Sequence, residues 1–314
     1  MMRALWTGAS GMTAQQTSLD TISNNLANIN TNGYKKETTH FQSLLYQKIQ
    51  TRVTDNEGNP LPVIGQVGLG TRVSNIVSQY TQGNLLETGN PLDLAVDGEG
   101  FFMIRMPDGS VSYTRNGAFE LGATSQGFVL CTASGYPVLD STGKEIVFNR
   151  EIDTSTLEID EFGIITYKEK VEVKDPDNTD NTDNTDNNNN NTNNNPPNNT
   201  QGTENEETEE DKKYILETKR VAVIGLAQFN NPAGLEKISG SLLKETENSG
   251  TARVEAQNPS LKKSRLLTNY LEGSNVQVAN ELVDLIVTQR AYQMNSKVIT
   301  AADEMLQEAN ALRQ

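Results

Sequence analysis

Residues 278–306 read VANELVDLIVTQRAYQMNSKVITAADEML, and within them Val278, Leu285, Tyr292, Ile299 and Leu306 recur every seven residues. A seven-residue apolar repeat keeps one stripe of a helix turned toward a partner helix. The partner is at the other end of the chain, where Leu5, Met12, Leu19 and Leu26 repeat with the same period. These nine residues are the candidate assembly seam. Beside the C-terminal line runs a second one, Ala291, Val298, Met305 and Leu312, which widens the stripe and implies more than one neighbour. Two helices at opposite termini that each expect company point to assembly before catalysis.

The N-terminal pattern predicts a helix over about residues 3–29, ended by Asn30, Asn32 and Gly33. It is a weak helix alone, because Thr13, Thr17, Thr21, Asn24, Asn25 and Asn28 all rank well below Ala in propensity. Order should therefore come with docking. Ser274 and Gln277 have capping-box spacing and predict the start of the last helix, running to about residue 312.

Between the helices the period changes to two. Leu92, Leu94 and Val96 alternate, 101–105 reads as a strand, Pro107, Asp108 and Gly109 as a turn, and 111–114 as the return strand. Further short strands are expected at 127–130, 136–139, 157–159, 164–167 and 221–229. Turns at such spacing argue for a sandwich-like or barrel-like all-β domain. The predicted fold is thus mixed α and β: long terminal helices paired as an antiparallel coiled coil, around a central all-β domain. The divisions are 1–33 with 274–314 as the helical part, 34–80 as an extended connector, and 81–273 as the β-rich part. An Asn/Asp-rich insertion at 174–213 interrupts that part and is expected to be disordered, since it cannot bury enough apolar surface to offset ordering entropy.

Composition sets bounds. The net charge is −15, and residues 175–211 contribute eleven carboxylates and no Lys or Arg. No basic stripe is present to neutralise phosphates, which argues against nucleic acid. No run approaches the ~18 apolar residues of a membrane span, and the start lacks the apolar core of a cleavable secretory signal. The single Cys131 allows no internal disulfide and reads as a small buried hydrophobe. His40, the only histidine, reads as a surface or loop residue, without the nucleophile-elbow pattern a triad would bring. Residues 65–70 lack the Lys-Ser/Thr ending of a phosphate loop and read as a turn. Asp93 and Asp97 could in principle serve a glycosidase pair, but are more simply polar residues at turns. No metal or cofactor is expected.

Several stretches resemble the rod and hook proteins of the bacterial flagellum. They are residues 7–12 (TGASGM), 24–28 (NNLAN), 32–35 (NGYK), 96–102 (VDGEGFF) and 270–276 (YLEGSNV), followed by Gln289, Arg290, Ala291 and Tyr292. Residues 41–47 and 68–73 are similar to the distal rod type of that family; the Asn/Asp-rich insertion departs from its usual pattern. The resemblance implies a non-enzymatic subunit, exported through the flagellar export apparatus without a cleaved signal and polymerised as a helical tube in the basal body. Its implied partners are copies of itself, proximal rod and hook subunits, and ring bushing proteins. A proximal rod or hook subunit is the alternative within the family, and a rod-associated cell-wall hydrolase the alternative outside it.

Overall fold

The computed structural model describes residues 2–49, 59, 65–125, 127–149, 156–172 and 214–312. Two helices, α1 (Met2–Ala27) and α2 (Val278–Ala311), bracket a β-rich region. They pack antiparallel: Gly8 lies against Ile299, Gly11 against Asn295, and Asn25 meets Glu281 at the other end. The threonines that weaken α1 satisfy their hydroxyls on the helix itself: those of Thr13, Thr17 and Thr21 donate to the carbonyls of Ala9, Thr13 and Thr17 at 3.1, 3.1 and 2.9 Å, a back-bonding that does not add to helix stability. The helix stops at Ala27, two residues before the predicted end, where the Asn28 side chain donates to the Asn24 carbonyl at 2.9 Å.

The start of α2 differs more. It begins at Val278, and no side chain caps it. Ser274 is buried and its Oγ accepts the Val276 N–H at 3.3 Å, while Asn275 binds the connector. The Ser274–Gln277 capping box does not form because tertiary contacts claim this segment first.

In the β region, Phe101–Arg105 is central to a six-stranded antiparallel sheet in the order Glu236–Lys237, Leu242–Lys244, Val111–Thr114, Phe101–Arg105, Leu226–Gln228, Arg253–Val254. Both faces of the central strand are covered. Phe102 and Ile104 join one core with Leu94, Phe119, Leu130 and Ile165; Phe101 and Met103 join another with Tyr113, Phe229 and Leu243. That is why the strand reads as an unbroken apolar run. Its hairpin to Val111–Thr114 turns at Gly109, with φ +82, as expected from the sequence. Residues 136–139 make isolated bridges, not a strand. Residues 221–229 split into the end of Tyr214–Val223 and Leu226–Gln228, parted at Gly225, where a Cβ would sit 2.7 Å from the Asp140 carbonyl oxygen.

Glu37–Ser43 and Thr71–Ser78 pair antiparallel with a register shift at His40/Phe41, and they lie along α1. Thr39 donates to Thr21 at 3.0 Å, and Gly70, with φ +116, sits against Ser10 and Thr7. The strand pair thus runs beside the helix from its C-terminal end, past its middle, to its first turns. Ile164–Glu172 and Tyr214–Val223 pair antiparallel with Glu172 opposite Tyr214. The stretch expected to be disordered, 174–213, lies outside the described residues.

Candidate assembly surface

The side chains that hold α1 to α2 are mostly small or polar. Gly8, Gly11, Ala14, Thr21, Ile22 and Asn25 are the buried positions of α1, and Glu281, Thr288 and Ala302 those of α2. Small residues let the two backbones approach. A Cβ on Gly8 would stand 2.9 Å from Ile299 Cγ1 and 3.6 Å from the Asn295 carbonyl oxygen. Gly8→Val is therefore expected to push the helices apart and destabilise their pairing by about 1–3 kcal/mol. Loss of helical circular dichroism at a lower temperature than in the parent checks it, and an unchanged melting curve would contradict it.

None of the nine seam residues is fully buried. Leu5, Met12, Leu19, Leu26, Leu285, Ile299 and Leu306 are half-buried, flanking the small-residue stripe, and Val278 and Tyr292 are exposed. On α2 the line 285, 292, 299, 306 alternates with Glu281, Thr288, Asn295 and Ala302, which complete the face toward α1. This line is silent in an apolar pattern because its members are polar or small; their seven-residue spacing is the signal the sequence carries. Farther around α2, Leu282, Val283, Ile286, Val287, Met294, Val298 and Met305 are exposed, as is Trp6 on α1.

At the base of the helix pair lies a buried polar cluster built from the same motifs that carry the resemblance. Glu272, wholly buried, receives Lys35 Nζ on Oε1 at 2.6 Å and Arg115 Nε near Oε2 at 3.2 Å. The Gly83 N–H donates to the same Oε1 at 2.9 Å, and Lys35 also donates to the Thr81 carbonyl at 2.8 Å. Arg115 donates to the Gly100 and Gly98 carbonyls at 2.6 and 2.8 Å. Burial, with the Arg115 charge adding to it, holds the Lys35 ammonium below its ordinary value; burial likewise lowers Arg115.

A neighbouring set ties both helices to the connector. Asn25 Nδ2 donates to the Glu37 carbonyl at 2.8 Å and to Glu281 Oε2 at 3.2 Å, and Asn25 Oδ1 accepts from the Glu37 N–H at 2.9 Å and from the Tyr34 hydroxyl at 3.1 Å. Lys36 pairs with Glu281. Burial pushes the Tyr34 phenol up, with the Glu37 and Glu281 charges adding to it.

Two more phenols, Tyr113 buried and Tyr80 half-buried, give a pH signature. Tyr80 packs edge-on against Phe101 and Tyr113 against Phe229, and burial pushes each up to about 12 from 10.0. Between those values the folded chain holds protons that the unfolded chain releases. Their contribution to stability is complete below pH 10.0 and is lost as pH rises through about 12. Denaturation midpoints should fall across that window while tyrosinate absorbance lags behind that of the unfolded chain. A flat midpoint would contradict this.

The other candidates come out as follows. His40 is exposed on a strand, and Cys131 is buried with its thiol against the Glu120 carbonyl. Asp93 is buried and Asp97 exposed. Four residues apart on extended chain they stand roughly 13 Å apart, beyond glycosidase carboxylate spacing. Among the described residues no cluster could hold a metal ion, and no helix is long and apolar enough to cross a membrane.

Three family descriptions match the chain. Residues 5–35 match "Flagella basal body rod protein", 95–167 the "Flagellar hook protein FlgE/F/G D1 domain", and 267–312 "Flagellar basal body rod FlgEFG protein C-terminal". Among curated relatives, the flagellar basal-body rod protein FlgG of Borreliella burgdorferi is 37% identical, over 100% of this chain and 99% of its own length. Those of Agrobacterium fabrum and Caulobacter vibrioides are 36% and 35% identical, covering 97% and 99% of the chain and 97% and 100% of their own lengths. With motifs, helical termini and full-length similarity in agreement, the chain belongs to the flagellar basal-body rod protein family and is a structural subunit of the rod.

Proposed function

We propose that this subunit acts by stacking into a helical tube, its helix pair forming an inner layer as an antiparallel coiled coil and its β-rich part an outer layer. The tube would carry torque toward the hook and enclose the export path. The seam residues Leu5, Met12, Leu19, Leu26, Val278, Leu285, Tyr292, Ile299 and Leu306 would serve both the pair and its neighbours. The divisions 1–33 with 274–314, 34–80 and 81–273 would be the assembly part, the connector and the outer part, with 174–213 a disordered insertion. Partners would be further copies, proximal rod and hook subunits, ring bushing proteins and the export apparatus.

The observation that carries this reading is the face of α2 turned away from α1. Val283, Ile286, Val287, Met294, Val298 and Met305 are all exposed on it. Burying a side chain of that size contributes about 1.5–3 kcal/mol, so six of them against neighbours offset much of the entropy of association. Contacts of this kind between different faces of identical subunits repeat without closing and give filaments.

The double variant Val283→Asp, Val287→Asp tests it. Both sites are exposed in the subunit, so monomer stability should change by less than about 1 kcal/mol. Rod formation, read by electron microscopy of basal bodies, should be lost, because each carboxylate would be buried unpaired between subunits. Normal rods from that variant would refute the assembly reading.

A further inference from the structure

A cavity of about 190 Å³ opens at the base of the helix pair, between the connector and the β part. Lys35 and Arg115 line it, and the two cations share one carboxylate, Glu272. Its walls are aromatic and aliphatic: Tyr34, Tyr80, Ile238 and Leu242. Lys237 stands at the rim, paired with Glu37 at 2.6 Å and lying over the Tyr34 ring at 5.3 Å from its centroid. Ser241, also lining the cavity, holds φ +63, a conformation that L side chains rarely adopt and that concentrates at functional sites.

We propose that this cavity is a socket for a carboxylate side chain from a second copy of the chain, carried on the tip of the neighbour's α2. The inference rests on the stacked-tube reading and names one contact within it. Ion pairing identifies the chemistry: Lys35 and Arg115 share Glu272 as their one carboxylate at ion-pair distance, with Glu255, Asp97 and Glu99 acting on Arg115 from farther off, which leaves a place beside the pair for a second anion. The apolar walls require that the anion arrive with apolar neighbours. The end of α2 offers that combination, with exposed Glu304 and Glu308 alongside exposed Met305 and Leu312. Head-to-tail stacking of helix pairs brings the tip of one to the base of the next, where the cavity opens. Burial and, after it, the like charge of Arg115 disfavour the Lys35 ammonium, and an incoming anion would offset the Arg115 charge.

Geometry gives a clean test. Lys237 lies at the base, joined through Glu37 and Asn25 to Glu281. Glu304 and Glu308 lie 23 and 27 residues farther along α2, roughly 35 and 40 Å away at the helical rise. A zero-length link from Lys237 to either can therefore form only between subunits. Isolated basal bodies would be treated with a water-soluble carbodiimide, which activates a carboxylate. The lysine amine then displaces the activated oxygen, forming an amide and releasing the reagent as its urea. Peptide mass spectrometry should find Lys237 joined to Glu304 or Glu308. If Lys237 is joined only to Glu37, or to some other acid, the assignment is overturned. Were the chain absent from basal bodies altogether, the rod reading itself would fail, a distinguishable result.

A second arm uses Ile238→Trp, which fills the mouth and leaves Lys35, Arg115 and Glu272 in place. Rods should fall at least tenfold at equal protein level, with an unchanged melting temperature of the purified subunit. Normal rod numbers from a folded I238W chain would overturn the proposal.

Discussion

Replacing Glu272 by Ala is expected to destabilise the subunit by about 3–5 kcal/mol, the range seen when one partner of a buried ion pair is removed. The carboxylate is wholly buried and faces Lys35, Arg115 and the Gly83 N–H. Its loss would leave two buried cations without their shared ion-pair partner, close enough for the Arg115 charge already to disfavour the Lys35 ammonium. A conservative Glu272→Gln change keeps an acceptor for Gly83 and should fall between parent and Glu272→Ala. Adding Lys35→Met to Glu272→Ala removes one stranded charge and should recover part of the loss, because an apolar replacement of a buried pair is often near neutral. Urea denaturation midpoints would measure all three. A Glu272→Ala chain as stable as the parent would show that the cluster is not a structural joint.

The second large effect is expected at Gly33. Its φ is +70, and a Cβ there would lie 2.7 Å from the Asn116 nitrogen and 2.8 Å from the Arg115 carbonyl carbon. Both are backbone atoms, so no rotamer change relieves the clash. The left-handed conformation alone costs an L residue roughly 1–2 kcal/mol, and overpacking adds about 1–3. Gly33→Ala should therefore cost about 2–5 kcal/mol in all. It also threatens the Gly33 N–H bond to the Glu272 carbonyl at 2.7 Å, which joins the end of α1 to the segment entering α2. Hydrogen exchange at residues 25–37 should rise well above that in the rest of the chain. Uniform protection in the variant would argue that the turn absorbs the methyl group without consequence.

Much of this architecture could be read before any coordinates. The hairpin from Phe101 to Thr114 was legible because a short apolar run, Pro-Asp-Gly and a second run fix both strands and turn locally. The end of α1 was legible to within two residues for a similar reason. The Glu272 cluster was visible only as a recognisable motif. Nothing local tells a glutamate between Leu271 and Gly273 that its partners are at positions 35 and 115. The start of α2 falls later than the capping pattern predicts because Asn275 is held by Lys36, Gln79 and Thr81, far off in sequence, while the Ser274 hydroxyl accepts from Val276, short of the helix. On the helices, the apolar lines stand out in the sequence, but the buried positions include Gly8, Gly11, Ala14, Thr288 and Ala302, whose smallness makes them quiet in a hydrophobic pattern.

One detail of the β region has a practical reach. Glu172 and Tyr214 face each other across a ladder, so whatever joins them departs and returns at nearly the same point. Closing such a loop becomes harder only with the logarithm of its length, about 0.6 kcal/mol for each doubling. Evolution could lengthen or shorten that excursion with little penalty to the scaffold beneath. For the same reason a fluorescent tag or an affinity epitope spliced there would travel with the subunit while leaving its framework untouched.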